Sequence, residues 1–168
     1  MSDYRFEDPD TELALGLRGA EAEAIGDLAR SVRIVLDAPL PPPGDEAARD
    51  RLFPRAYLDP TEDAAELAFQ AAVHADLAAG RIAALDGLID DLEAAERVRG
   101  GVRVVLDADR VGLWVGAIND LRLTLGTRIG VADDDPEYAG PVAADAGDVG
   151  LYHWLTGLQE GLISYLLV

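Results

Sequence analysis

Cysteine is absent from the 168 residues, which excludes disulfides, thiolate metal sites and thiol redox switches within this chain. Lysine is absent as well: all 14 cationic residues are arginines, set against 32 carboxylates for a formal net charge of -18. A DNA duplex carries about one negative charge per 1.7 Å of axis, so it repels a body this acidic unless the arginines gather on one face. Nucleic acid is therefore not the expected partner. Long apolar runs are missing too. The longest mostly apolar stretch, 111 to 125, is broken by Asn119, Asp120 and Arg122, short of the roughly 18 clean apolar residues of a membrane span. The opening "MSDYRFEDPDTE" is acidic and has no basic segment leading into an apolar run, so no signal peptide is read there and a cytoplasmic location is expected.

Residues that carry chemistry are scarce. Of two histidines, His74 falls on the exposed or flanking side of an alanine-rich helix and His153 directly precedes a core tryptophan, Trp154; neither shows the two-ligand spacing of a helical metal site. The three serines, Ser2, Ser31 and Ser164, sit in no nucleophile elbow. "LGLRGAEAEA" lacks the spacing and terminal lysine of a phosphate loop, and "DDDPE" at 133 to 137 has a calcium loop's charge without its spacing or central glycine. No catalytic residue, metal site or cofactor is assigned, and an enzyme is the least favoured reading.

What is present reads as one domain, 1–168, since a chain this long buries roughly two-thirds of its unfolded surface around a single core. Leu13, Leu15 and Leu17 alternate as a half-buried strand requires, and with 3 to 7 across the turn-rich "DPDT" they predict a hairpin. Ile25, Leu28, Val32 and Val35 then recur at helical spacing. Residues 38–50, with four prolines between 39 and 43, read as an internal linker. In "LDPTEDAAELAF" Asp59 caps, Pro60 takes the first helical position and Glu62 completes a capping box. Helix is predicted from Thr61 to about Arg97, with a kink or break at Gly80, where glycine costs about 1 kcal/mol relative to alanine.

"RGGVRVVLD" predicts a turn and a short strand, followed by a helix from Asp107 or Ala108. With an offset of 89, residues 102 to 125 repeat the strand–cap–helix order of 13 to 36: Leu17 matches Leu106, Ile25 matches Trp114 and Val32 matches Leu121. This echo suggests two strand–helix units on one small sheet. Residues 132–147 form an acidic loop. Asp148 is then expected to cap a final helix whose Leu151, Trp154, Leu155, Leu158, Leu162, Tyr165 and Leu166 make a wide apolar stripe, covered by this domain's core or by a second copy.

The helix near 108 to 126 is apolar on nearly every side, so it is central. Four polar residues interrupt it or follow it: Asn119, Asp120, Arg122 and Arg128. One reading makes them structural, with Asp120 or Asn119 bonded to a neighbouring helix and the two arginines paired with carboxylates, because an unpaired buried charge costs several kcal/mol. The other makes them an interaction cluster facing a partner or ligand. A separate group, Arg97, Arg99, Arg103 and Arg110, is the patch that direct DNA binding would need.

"RLFPRAYLDPTEDAAEL" (51 to 67), "LWVGAINDLRLTLGTRIGV" (113 to 131) and "LYHWLTGLQEGLISYLL" (151 to 167), in that order, resemble the actinobacterial domain of unknown function family 2017, the AosR-like oxidative-stress regulator family. The resemblance covers roughly residues 11 to 167. It implies a small cytoplasmic protein with a part in transcriptional regulation. Without cysteine, direct disulfide sensing cannot be carried over, and the acidity implies that any transcriptional role runs through a protein partner such as a sigma factor.

The expected fold is mainly α with a small antiparallel β-sheet (α+β): four or five helices around the central one, and strands from 3 to 7, 12 to 17 and 101 to 106. The expected function is a noncatalytic regulatory or protein-interaction module, with a homodimer through the C-terminal helix as a further expectation. Direct DNA binding is the alternative.

Overall fold

The computed structural model describes residues 12–57, 59–131 and 146–167. Its elements are β1 (Leu13–Arg18), α1 (Gly19–Asp37), α2 (Glu46–Leu52), a 3-10 turn (Pro60–Glu62), α3 (Asp63–Ala94), β2 (Glu96–Val98), β3 (Gly101–Leu106), α4 (Ala108–Arg128) and α5 (Ala146–Leu166). This is the mainly helical α+β class expected, with five helices and a three-stranded antiparallel sheet among the described residues.

The sheet runs in the order β1-β3-β2. Strands β1 and β3 pair antiparallel from Leu13 opposite Leu106 to Arg18 opposite Gly101, so the two strand–helix units of the sequence echo do share one sheet. One further strand among the described residues was not expected. It is β2, from a stretch the helical reading covered to Arg97, and it folds back on β3 through Gly100, whose φ of +87° favours glycine. Three exposed residues carry no alternation to read. Residues 3 to 7 lie outside the described residues.

Helix α1 starts where the Glu21 carboxylate accepts from the Arg18 amide (2.8 Å), and it buries Ile25, Val32 and Val35. The stretch read as linker at 38–50 overlaps α2, which buries only Ala48 and Leu52, too short a repeat for periodicity to show. Asp59 accepts from the Thr61 amide (2.8 Å) and caps the turn that leads into α3. No break occurs at Gly80: α3 is continuous. A helix's hydrogen bonds ask nothing of a Cβ, and glycine's modest cost is outweighed by alanines around it and the burial of Leu85 and Leu88 beyond it.

Helix α4 is the centre. Asp107 caps it by accepting from the Arg110 amide (2.8 Å), and Val111, Trp114, Ile118 and Leu121 are fully buried. It ends at Gly130 (φ +78°), where the Val131 amide returns to the Gly126 carbonyl at 2.8 Å as in a Schellman motif. Helix α5 packs antiparallel on α4 and buries Leu155, Leu158 and Leu162. Asp148, expected as its cap, lies in its first turn instead, where its charge faces the helix's positive end. Of the acidic loop 132–147, residues 132 to 145 lie outside the described residues.

Two glycines should respond oppositely to alanine. A Cβ at Gly101 would sit 1.9 Å from the Leu17 carbonyl oxygen, so Gly101→Ala must force β1 and β3 apart. Gly112 is exposed on α4 with nothing within 4 Å. Gly112→Ala is expected to stabilise by about 0.5 to 1 kcal/mol, and Gly101→Ala to lower stability by about 2 kcal/mol or more, as read by chemical denaturation.

Candidate functional site

The polar residues of α4 point to different neighbours. Asp120 is almost wholly buried and accepts from the Arg81 guanidinium of α3. Burial pushes its carboxyl above the usual range, and Arg81 opposes that shift by charge and by hydrogen bond. Arg81 in turn lies 5.8 Å from the centre of the Phe53 ring, which stacks on His74 at 4.1 Å. One line of contacts thus joins α4, α3 and the segment after α2.

Arg128 grips both carboxylate oxygens of Asp45 (2.8 and 2.9 Å) ahead of α2 and donates to Ser31 Oγ of α1 (2.9 Å). Arg122 faces α5. It donates to Thr156 Oγ1 (3.0 Å) and Gln159 Oε1, lies over the Tyr152 ring, and meets neutral oxygens rather than the expected carboxylates. The α5 surface opposite it supplies an amide and a hydroxyl. Gln159 extends the tie by donating to the Val115 carbonyl (3.3 Å). Asn119 is half-buried and makes no side-chain hydrogen bond among the described residues.

The four arginines of the DNA-binding alternative are divided by the fold. Arg110 turns inward and grips Asp91 (3.0 and 2.5 Å), which also accepts from Trp114 Nε1 (2.8 Å), and it donates to the Gly87 carbonyl. Arg103 lies 3.8 Å from Glu96. Arg97 and Arg99 are exposed on β2 and its turn, with no ion pair among the described residues. Arg97 borders an open cleft of about 520 Å³ between α1, α3 and the β2–β3 hairpin, whose rim carries Glu23, Asp27 and Glu93 beside Arg30.

The partners Arg81, Asp91, Asp45 and Gln159 were not anticipated from sequence. With carboxylates so abundant, nothing local marks Asp45 or Asp91 as the one that a distant arginine will meet. Large apolar side chains are exposed on α3 at Leu67, Phe69 and Leu77, which the sequence does not lead one to expect, and at the end of α5 at Ile163, Leu166 and, just beyond it, Leu167, where contact with a second copy is the expectation. The start of α3 is held to the preceding segment by Glu66, which accepts from the Tyr57 amide (2.8 Å), Gln70 Nε2 (2.7 Å) and the Ala56 amide (3.0 Å). These bonds hold its carboxyl below the ordinary range.

A family model described as a domain of unknown function, DUF2017, matches residues 3–166. The chain belongs to this family. Among its relatives are proteins named oxidative stress regulator AosR from Mycobacterium bovis and from two Mycobacterium tuberculosis strains, CDC 1551 and H37Rv. Each is 30% identical over 136 residues, covering 74% of this chain and 60% of the relative. This DUF2017 chain therefore spans less than two-thirds of the length of those relatives. No solved structure matches it. Within the DUF2017 chain, the segment "NDLRLTLGTR" is where α4 is tied to α3, α5, α2 and α1.

If Asp120 ties α4 to α3, Asp120→Ala leaves Arg81 without its partner and should cost about 3 kcal/mol or more. Asn119→Ala should change stability by less than about 0.5 kcal/mol. Parallel denaturation curves check both. A separate expectation concerns acid. Because the folded Glu66 carboxyl titrates below its unfolded value, the stability it adds is present above the ordinary carboxyl range and is lost as pH falls through the folded value. Hydrogen exchange, corrected for its intrinsic pH dependence, should show the Ala56 and Tyr57 amides losing protection in that acid window, and Glu66→Gln should lack the pH-dependent step.

Proposed function

We propose that this protein is a noncatalytic regulatory module of the cytoplasm that acts by binding another protein, its partner being a transcription component such as a sigma factor. The observation that carries the reading is the group of exposed apolar side chains at the end of α5, Ile163, Leu166 and Leu167, in a chain of net charge -18. A group of this kind on an otherwise charged surface marks a protein contact. Two further points support it. Asp120, Arg122 and Arg128 are engaged in holding helices together, and the relatives carry the name of oxidative stress regulators. The acidity favours a protein intermediary over direct contact with DNA.

The test is a binding series with purified sigma factors, core RNA polymerase and promoter DNA in about 150 mM salt. A complex with a transcription component and none with DNA alone is expected. A sequence-specific DNA shift at submicromolar protein would overturn the reading in favour of the arginine patch, and binding to none of the components would remove the transcription partner.

The exposed end of α5 is the proposed contact for a homodimer, with Ile163, Leu166 and Leu167 of each copy meeting in an isologous interface. Light scattering across concentration should show a dimer that the combined Ile163→Asp and Leu167→Asp changes convert to monomer. A monomer at every concentration would refute it.

A further inference from the structure

Helix α4 carries three arginines, and two of them, Arg110 and Arg128, grip carboxylates. The third does not. Arg122 is half-buried and forms no ion pair among the described residues, although the chain holds 32 carboxylates. Its Nε and Nη1 donate to the neutral oxygens of Thr156 and Gln159, which fix the guanidinium without neutralising it. Nη2, with two further N–H groups, makes no hydrogen bond among the described residues. The buried side-chain atoms left without a partner there are Thr124 Oγ1 and Trp154 Nε1, so Nη2 is open to solvent.

Arg122 lines a small cavity of about 50 Å³ at the seam of α2, α4 and α5. One water needs about 10 to 15 Å³ of such space, so there is room for a group of a few heavy atoms and not for a nucleotide. Tyr152 of α5 lines it too, and its hydroxyl makes no hydrogen bond among the described residues. Gly126 allows this ring to lie against α4, since a Cβ there would come within 3.1 Å of Tyr152 Cε2. Arg51 of α2 has contacts of its own and adds a second positive charge to the wall. Past Arg51, Leu123 and Val131 the cavity continues into a wide depression beside α2.

A guanidinium with spare donors, a hydroxyl and a second guanidinium thus surround a space the size of one oxyanion. A phosphate group suits it better than a carboxylate, because it carries up to twice the charge and offers three acceptor oxygens to three donor side chains. The acidity of the chain bears differently on this ligand than on DNA. A duplex presents its phosphates to the whole surface, whereas a single phosphate meets one cavity and is screened from charges beyond about 8 Å in 0.15 M salt.

We propose that the seam of α2, α4 and α5 is a binding site for a phosphate group, with Arg122 and Tyr152 as donors and Arg51 supplying further charge. The group is that of inorganic phosphate or of a small phosphomonoester whose body lies in the wider depression. Bound there, it joins α5, which packs on α4, to α2 as well.

The test follows the backbone amide resonances of the full chain as inorganic phosphate, glycerol phosphate or acetate is added against chloride at constant pH and ionic strength. Saturable shifts over 122 to 131 and 151 to 156 are expected with phosphate, with a Kd in the millimolar range or below, together with slower hydrogen exchange in α5. Acetate should bind about tenfold more weakly or worse. Tighter binding of glycerol phosphate than of phosphate marks the monoester as the occupant, and the reverse order marks the free ion.

Arg122→Gln should weaken binding by about tenfold or more, and Arg51→Gln and Tyr152→Phe by about threefold or more each. Tyr152→Phe keeps the ring and loses only the hydroxyl, so it and Arg51→Gln carry the test if Arg122→Gln loosens α5, with circular dichroism reporting the fold of each variant. Arg97→Gln removes the same charge on the β2 hairpin and should leave binding unchanged. Shifts that chloride reproduces would overturn the proposal. So would a loss in Arg97→Gln as large as in Arg122→Gln, or unchanged affinity in both Tyr152→Phe and Arg51→Gln. Acetate binding as tightly as phosphate would overturn the choice of ligand.

Discussion

A helix buried on nearly every side must place each of its polar groups against a neighbour, and that constraint on α4 organises the fold. Asp120 meets Arg81 of α3, Arg122 meets Thr156 and Gln159 of α5, and Arg128 meets Asp45 and Ser31 at α2 and α1. Apolar burial supplies the driving force but has no direction. The ion pairs and hydrogen bonds add direction, because a helix slid or rotated by one residue would leave these groups without partners at a cost of several kcal/mol.

The same constraint shapes the surface. Arginine suits these positions because its planar fork meets two acceptors at once, as Arg128 does with Asp45 and Arg110 with Asp91. Several arginines are thereby drawn into contacts between elements, from a set already outnumbered by carboxylates. The outward-facing balance is left acidic, and in a patch assembled from Arg97, Arg99, Arg103 and Arg110 the half-buried Arg110 is already held by Asp91 and the Gly87 carbonyl.

Periodic elements were legible in the sequence and isolated contacts were not. Strands β1 and β3, helix α1 and the core of α4 announce themselves because alternation or 3.6-residue spacing repeats over enough residues to stand out. Strand β2 and helix α2 bury too little to leave a pattern, so the sequence of one reads as helix and that of the other as linker. Gly80 was weighed by intrinsic propensity, which tertiary packing further along α3 overrides. For the α4 polar residues, the need for partners followed from burial. Their identity did not, since Asp120 and Arg81 are far apart in sequence and nothing local distinguishes Gln159 from the many carboxylates as the group Arg122 would find.

Helix α3 shows why composition and environment must be considered together. Its alanine-rich first half is a good helix former in isolation but has few large side chains with which to anchor itself. The structure compensates from outside the helix: Arg55 pairs with Asp63, Glu66 takes the Ala56 and Tyr57 amides, and Phe53 stacks on His74. These contacts all come from residues 53 to 57, the segment that follows α2. That segment therefore braces the uncovered half of α3 from one side while Phe53 also lies beside Arg81, the residue that holds Asp120. The surface of α3 and the buried pair of α4 are thus continuous through one aromatic ring, so packing at either end constrains the other.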